Sequence, residues 1–166
     1  MFTRAFFTTL MVALLAVGCS SNKPKNGQDA GAEGANGANN GLTLELNGDS
    51  DSNKAGGLQT VFFAFDSSNL DGSAKDTMKS NADFLKTNAK VDIQVEGHCD
   101  ERGGRQYNLA LGERRAKAVR DFLVALGVEA KRISTISYGN ERPVSEGHDE
   151  SAWSKNRRGN FVVTAK

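Results

Sequence analysis

Two cysteines, Cys19 and Cys99, are all that 166 residues contain, and they sit in unrelated surroundings. A stabilising disulfide framework is therefore not expected. Charge of one sign is also missing. Twenty-one Lys and Arg stand against 20 Asp and Glu, a net of +1. That balance gives no global attraction to nucleic acid or to an anionic membrane. No internal repeat is present. The only sustained apolar run, Ala5 to Val17, is interrupted by Thr8 and Thr9. It is too short for a spanning helix, which needs about 20 apolar residues. The chain is long enough for one ordinary domain with extra segments, and too short for two sizeable cores.

Residues 1–18 have the plan of a secretory signal: a positive start at Arg4, an apolar middle, and small residues before the end. They run into Leu15-Ala16-Val17-Gly18-Cys19-Ser20-Ser21. A thiol flanked by small residues resembles the bacterial lipobox, with Leu15 displaced by one from the usual position. The resemblance implies cleavage before Cys19 and lipidation of Cys19, with acyl chains such as palmitate. Two or more acyl chains hold stably in a bilayer, each buried CH₂ contributing about 0.8 kcal/mol. Ser20, rather than Asp, follows the cysteine, which by the same resemblance implies sorting to the outer membrane, periplasmic face.

Residues 19–57 read as the lipidated N-terminus and a flexible linker. Gly, Asn, Ala, Ser and Asp dominate it, as in Gly31-Ala32-Glu33-Gly34-Ala35-Asn36-Gly37, and such a composition cannot bury a core. About 38 such residues reach roughly 35 Å on average, and on the order of 125 Å when stretched. Leu42, Leu44 and Leu46 alternate with polar residues. A brief strand and a local apolar patch in unstructured chain both fit that pattern.

Residues 58–166 alternate strand and helix signals. Thr60 to Phe65 is an apolar β-rich run with Val61, Phe63 and Phe65 on one side. Ser73 caps a helix to about Asn88, with Met78, Ala82 and Leu85 inward. Val91, Ile93 and Val95 alternate with polar residues, as in a half-buried strand. A second helix runs from near Gln106 to Leu126, carrying Leu109, Ala116, Val119, Phe122 and Leu123 at helical spacing, with Gly127 as its C′ residue. Ile133 to Tyr138 is a third strand, Ser151 to Asn156 a helical turn, and Phe161 to Thr164 a closing strand. The order βαβαβ(α)β predicts an α/β (α+β) two-layer sandwich, with a mixed four-stranded sheet and helices on one face. With 17 basic and 15 acidic residues, this part has no nucleic-acid footprint.

The informative stretch is Gly97-His98-Cys99-Asp100-Glu101-Arg102-Gly103-Gly104, then Tyr107-Asn108, Leu111-Gly112 and Arg114-Arg115-Ala116, at the junction of strand and helix. Tyr138-Gly139, Pro143 and Asn156-Arg157-Arg158 follow. Asp100 stands just past a strand end, where loops carry binding groups. Arg115 comes fifteen residues later, flanking the apolar stripe of the helix. A carboxylate beside a guanidinium can hold a free amino-acid end, Asp100 accepting from the ammonium and Arg115 donating bidentately to the carboxylate. On the residues alone, a simple Asp100–Arg115 ion pair fits as well, and an exposed one contributes only about 0–1 kcal/mol.

Together these motifs resemble the OmpA-like peptidoglycan-binding domain family over about residues 58–166, and the lipobox and linker extend the resemblance to its outer-membrane lipoproteins. It implies non-covalent binding of peptidoglycan through the meso-diaminopimelate of the stem peptide. Asp100 and Arg115 match the family's ligand contacts, with Asn108, the backbone near Leu111, and Phe65-Asp66 lining the pocket and Arg102 as a further donor. It also implies tethering of the outer membrane to the wall, periplasmic Tol proteins (TolB-like) as partners, and a part in envelope integrity and cell division. An OmpA-like lipoprotein anchoring another envelope machine, in secretion or motility, is the alternative; a wall hydrolase is a third.

Catalysis is not expected. Strand alternation sends Cys99 away from His98 and Asp100, so they form no triad. His98, Cys99 and His148 match no metal-ligand spacing, and Gly103-Gly104 lacks the lysine of a phosphate loop. No cofactor is implied. Of Arg157 and Arg158, one is expected to tie the last loop to the acidic turn and the other to be solvated. Asp100→Ala and Arg115→Ala are expected to abolish wall binding with the fold intact.

Overall fold

The computed structural model describes residues 43–166. The signal segment, Cys19, Leu42 and the linker up to residue 42 lie outside the described residues. Strand β1 spans Val61–Phe62, helix α1 Gly72–Thr87, β2 Asp92–His98, α2 Arg105–Ala125, β3 Ile133–Gly139, α3 Glu150–Asn156 and β4 Arg158–Ala165. The sheet order is β1-β4-β2-β3. β2 and β3 run parallel, joined by the α2 crossover, while β4 lies antiparallel between β1 and β2. The expected mixed four-stranded α/β sandwich is what the chain forms.

Alternation along β2 divides the sheet into two faces. Ile93 and Val95 point to the helices and meet Met78 and Leu85 of α1, Val119 and Leu123 of α2, and Phe161 and Val163 of β4 in one core. Each such side chain stabilises by about 1.5–3 kcal/mol when fully buried. Gly97 continues that face, and α2 crosses it so closely that a Cβ there would lie 1.8 Å from the Gly112 carbonyl oxygen. Glu96 and His98 point the other way, into a buried polar layer. There Asn160 donates to Glu96 at 2.9 Å and accepts from Ser50 at 2.8 Å.

Helix ends follow local chemistry. The cap of α1 is Asp71, whose carboxylate accepts from the Ala74 N–H at 2.7 Å; Ser73, the expected cap, lies inside the first turn. Asn88 closes that helix by donating to the Phe84 carbonyl. Gly127, at φ +95°, ends α2. Its N–H bonds the Val124 carbonyl and that of Val128 bonds Leu123, the Schellman pairing.

Two expectations need correction. First, the flexible linker does not extend to residue 57. Residues 47–50 pair with β4, Asn47 donating to the Val163 carbonyl and Ser50 to that of Phe161. Ala55 is 0% exposed, and Leu44 bridges to it and packs against the core, whereas Leu46 is exposed. The polar composition hid this because the segment is held by backbone and side-chain hydrogen bonds more than by apolar area. Second, the first strand is two residues long, not six. The carbonyls of Phe63 and Ala64 accept from the guanidinium groups of Arg157 and Arg115 instead of a neighbouring strand. The chain then leaves the sheet, and Phe65 is 57% exposed rather than facing inward with Val61 and Phe63.

Candidate functional site

β2 ends at His98, and the chain turns through Cys99–Gly104 into α2. This turn is held from several sides. The Cys99 N–H donates to the Gly139 carbonyl at 2.8 Å. Asp100 Oδ1 accepts from the Arg102 N–H at 3.1 Å, a local turn closed by a side chain. Gly103 sits at φ +96°, where a side chain would be strained. Asn108, one turn into α2 and buried, donates to the Arg102 carbonyl at 3.1 Å.

The result is a cleft of about 150 Å³ lined by Phe65, Asp66, Asp100, Arg102, Asn108, Leu111 and Arg115, the seven residues singled out from the sequence. Cys99, Gly103, Tyr107 and Arg157 complete it. That size lies below that of drug-sized small-molecule pockets, about 300–1,000 Å³. It suits one small charged group, not a glycan strand.

Asp100 is 4% exposed and saturated with donors. Oδ2 accepts from Arg102 Nη2 at 2.6 Å and from Arg157 Nη1 at 3.2 Å. Oδ1 also accepts from Arg102 Nε at 3.3 Å. Burial by itself raises the pKa of this carboxyl. The hydrogen bonds from Arg102 and Arg157 outweigh it and hold Asp100 below the usual carboxylate range. Arg102 lies between two aromatic faces, 3.9 Å from the Phe65 ring centroid and 4.0 Å from that of Trp153.

Arg115 is 0% exposed. It does not flank the apolar stripe of α2 as expected; it is packed inside, with Phe63 under its guanidinium. Nor does it pair with Asp100. Its Nε, Nη1 and Nη2 donate to the carbonyls of Ser67, His98 and Ala64 at 2.8, 2.7 and 3.0 Å. A guanidinium has five N–H groups, so one remains on each terminal nitrogen. Burial lowers its pKa, but a guanidinium stays protonated in a protein. These bonds tie the segment after β1 to β2 and α2, so Arg115→Ala is a structural lesion and not the fold-neutral variant expected from the sequence.

Arg157 was legible only as part of an Arg-Arg pair. Besides Asp100, it donates to the Phe63 carbonyl at 3.0 Å and bonds Glu150 on α3. Arg158 is not solvated; its Nε donates to Asp51 at 2.6 Å and both side chains are largely buried. Tyr107, on the first turn of α2, bonds Asp66. Nothing short of the fold places 157 beside 100, or 107 beside 66. Burial pushes the Cys99 thiol up, and its Sγ–H donates to the Asn108 carbonyl at 3.3 Å. Burial also pushes His98 down, with Glu96 opposing. The cleft therefore offers two carboxylates, Asp66 and Asp100, beside the guanidinium groups of Arg102, Arg115 and Arg157: a place to hold a charged group.

Comparison with known proteins agrees with this architecture. Residues 62–157 match the OmpA family. The chain is 46% identical over 153 residues to the peptidoglycan-associated lipoprotein of Mesorhizobium japonicum, covering 89% of this chain and 85% of the relative. It is 44% identical over 162 residues to that of Pseudomonas aeruginosa, covering 92% of each. Among solved structures, the peptidoglycan-associated lipoprotein from Burkholderia pseudomallei superposes with a TM-score of 0.61 at 41% identity, over 63% of this chain and 88% of that one.

Proposed function

Since the chain belongs to the OmpA family, among its peptidoglycan-associated lipoproteins, we propose that it tethers the outer membrane to the cell wall, gripping peptidoglycan non-covalently through the free amino-acid end of meso-diaminopimelate. Lipid on Cys19 is the membrane end of the tether, at the periplasmic face of the outer membrane. The cleft on residues 43–166 is the wall end. Among the described residues no helix is long and apolar enough to cross a membrane.

The observation that carries the reading is that Asp100 and Arg115 line the same cleft without neutralising each other. Asp100 supplies the acceptor for the ammonium. The two remaining N–H groups of Arg115 supply a fork for the carboxylate. Asn108 fixes the loop that carries Asp100, and Leu111 forms the apolar floor. The protein is a binding protein in this reading, not an enzyme, and it takes part with periplasmic Tol proteins in envelope integrity and division.

Co-sedimentation with purified sacculi tests the grip. The protein is expected to pellet with sacculi containing diaminopimelate and to stay in solution with sacculi built on lysine. Asp100→Asn is expected to abolish pelleting while retaining the native circular dichroism. Unchanged pelleting of this variant would rule out the assignment. Release of soluble wall fragments would instead favour a hydrolase.

A further inference from the structure

Asp100 has no acceptor to spare. A carboxylate offers about four lone-pair sites, and four donors hold Asp100: Arg102 N, Nε and Nη2, and Arg157 Nη1. A ligand ammonium therefore enters only by replacing a donor. Arg157 is fixed by burial, by the Phe63 carbonyl and by Glu150. Arg102 is different. Its side chain is 30% exposed, its partners Phe65 and Trp153 tolerate rotation of a cation across their faces, and a second carboxylate, Glu150 Oε2, waits 3.8 Å away.

We propose that Arg102 is the cleft's own stand-in for a ligand ammonium, seated on Asp100 until a ligand cation displaces it. The proposal rests on the reading of this cleft as the diaminopimelate site. It also accounts for selectivity. A lone cation only exchanges one ion pair for another and gains little. A lone carboxylate leaves Arg102 seated, with Arg115 showing no exposed surface. A zwitterionic end does both: its ammonium takes over Asp100, and its carboxylate takes the N–H groups of Arg115 that have no partner. Arg102 then pairs with Glu150, still between the two rings. The role is opposite in sign to that of a direct ligand donor.

Calorimetry on the full-length lipoprotein in detergent micelles separates these roles. Three synthetic tripeptides serve as probes, L-Ala–γ-D-Glu followed by meso-diaminopimelate, by lysine, or by 2-aminopimelate, which keep both, only the ammonium, or only the carboxylate of the distal end. The unmodified protein is expected to bind the first and discriminate against the others. Arg102→Ala is expected to bind the diaminopimelate tripeptide about fivefold tighter, the scale of one partly exposed ion pair, and to narrow the gap to the lysine tripeptide. Weaker binding by Arg102→Ala would overturn the proposal and make Arg102 a direct contact. In the unmodified protein, the Arg102 Nε–H resonance is expected to shift and exchange faster on saturation; an unchanged resonance would overturn the proposal without any variant. If the unmodified protein and Asp100→Asn bind the first probe alike, or neither binds it, the diaminopimelate reading itself falls and the proposal with it.

Discussion

Arg157 Nη1 donates to Asp100 Oδ2 at 3.2 Å across 57 residues of sequence, between two side chains each less than one-tenth exposed. This pair fixes the carboxylate lip of the cleft to the start of β4. It also makes that lip sensitive to acid. The folded-state pKa of Asp100 lies below its ordinary value of 3.8, so the stabilisation is fully present above about pH 4–5 and is lost as pH falls through the folded value. Asp100→Asn is expected to cost about 1–3 kcal/mol at neutral pH and to show a shallower further loss below pH 4. Urea midpoints across that range check both.

His98 titrates in the opposite chemical sense with the same direction in pH. Its ring stacks on Tyr138 at 5.6 Å, Nε2 meets Glu96 at 3.4 Å, and Nδ1 is buried without a partner. Burial lowers its pKa from 6.5. Below 6.5 the unfolded chain takes up the proton first, so stability falls as pH falls through that window. His98→Phe keeps the stacking and removes the proton. It is expected to flatten the change in Tm between about pH 7.5 and 5.5. An unflattened profile would place the titration elsewhere.

Gly97 and Gly112 are the point of closest approach between β2 and α2. Gly97→Ala puts a methyl 1.8 Å from a backbone oxygen with no side chain free to yield. The expected cost is about 3 kcal/mol or more, at the top of the range for overpacking. Gly104→Ala, with open space around its Cβ, is the control and is expected to stay within about 0.5 kcal/mol. Denaturant unfolding of the two variants distinguishes a packing requirement from a general intolerance to change in this region.

The domain boundary is tested by truncation. A chain starting at residue 43 is expected to unfold like the full protein. One starting at 58 loses Asp51 from Arg158 and Ser50 from Asn160. Leaving the buried Arg158 without its carboxylate is expected to cost about 3–5 kcal/mol. Equal stability of the two truncations would return residues 43–57 to the linker.

Much of this was legible in the chain itself. The period-2 alternation over 91–96, the helical spacing from Leu109 to Leu126 and the glycine at 127 placed β2, α2 and its end correctly. Local forces set those elements, and local forces leave a pattern. The seven cleft residues were legible for another reason: five of them sit on one strand-turn-helix unit and two on the short stretch at 65–66, and a characteristic motif marks them. What escaped was everything governed by a distant partner. Phe65 reads as core until Arg115 and Arg157 divert the carbonyls of Phe63 and Ala64. Residues 43–57 read as linker until β4 offers them an edge.

The sequence by itself determined the order of elements, the sheet-and-helix layering and which residues crowd the turn after β2, because hydrophobic period and turn chemistry act between near neighbours. Only the tertiary structure decided that Arg115 is a buried tie between three carbonyls and that Arg157 closes on Asp100. Those are hydrogen bonds of a charged group in a low-dielectric interior. Their partners are chosen by where the fold brings unsatisfied oxygens together, and no spacing along the chain encodes that.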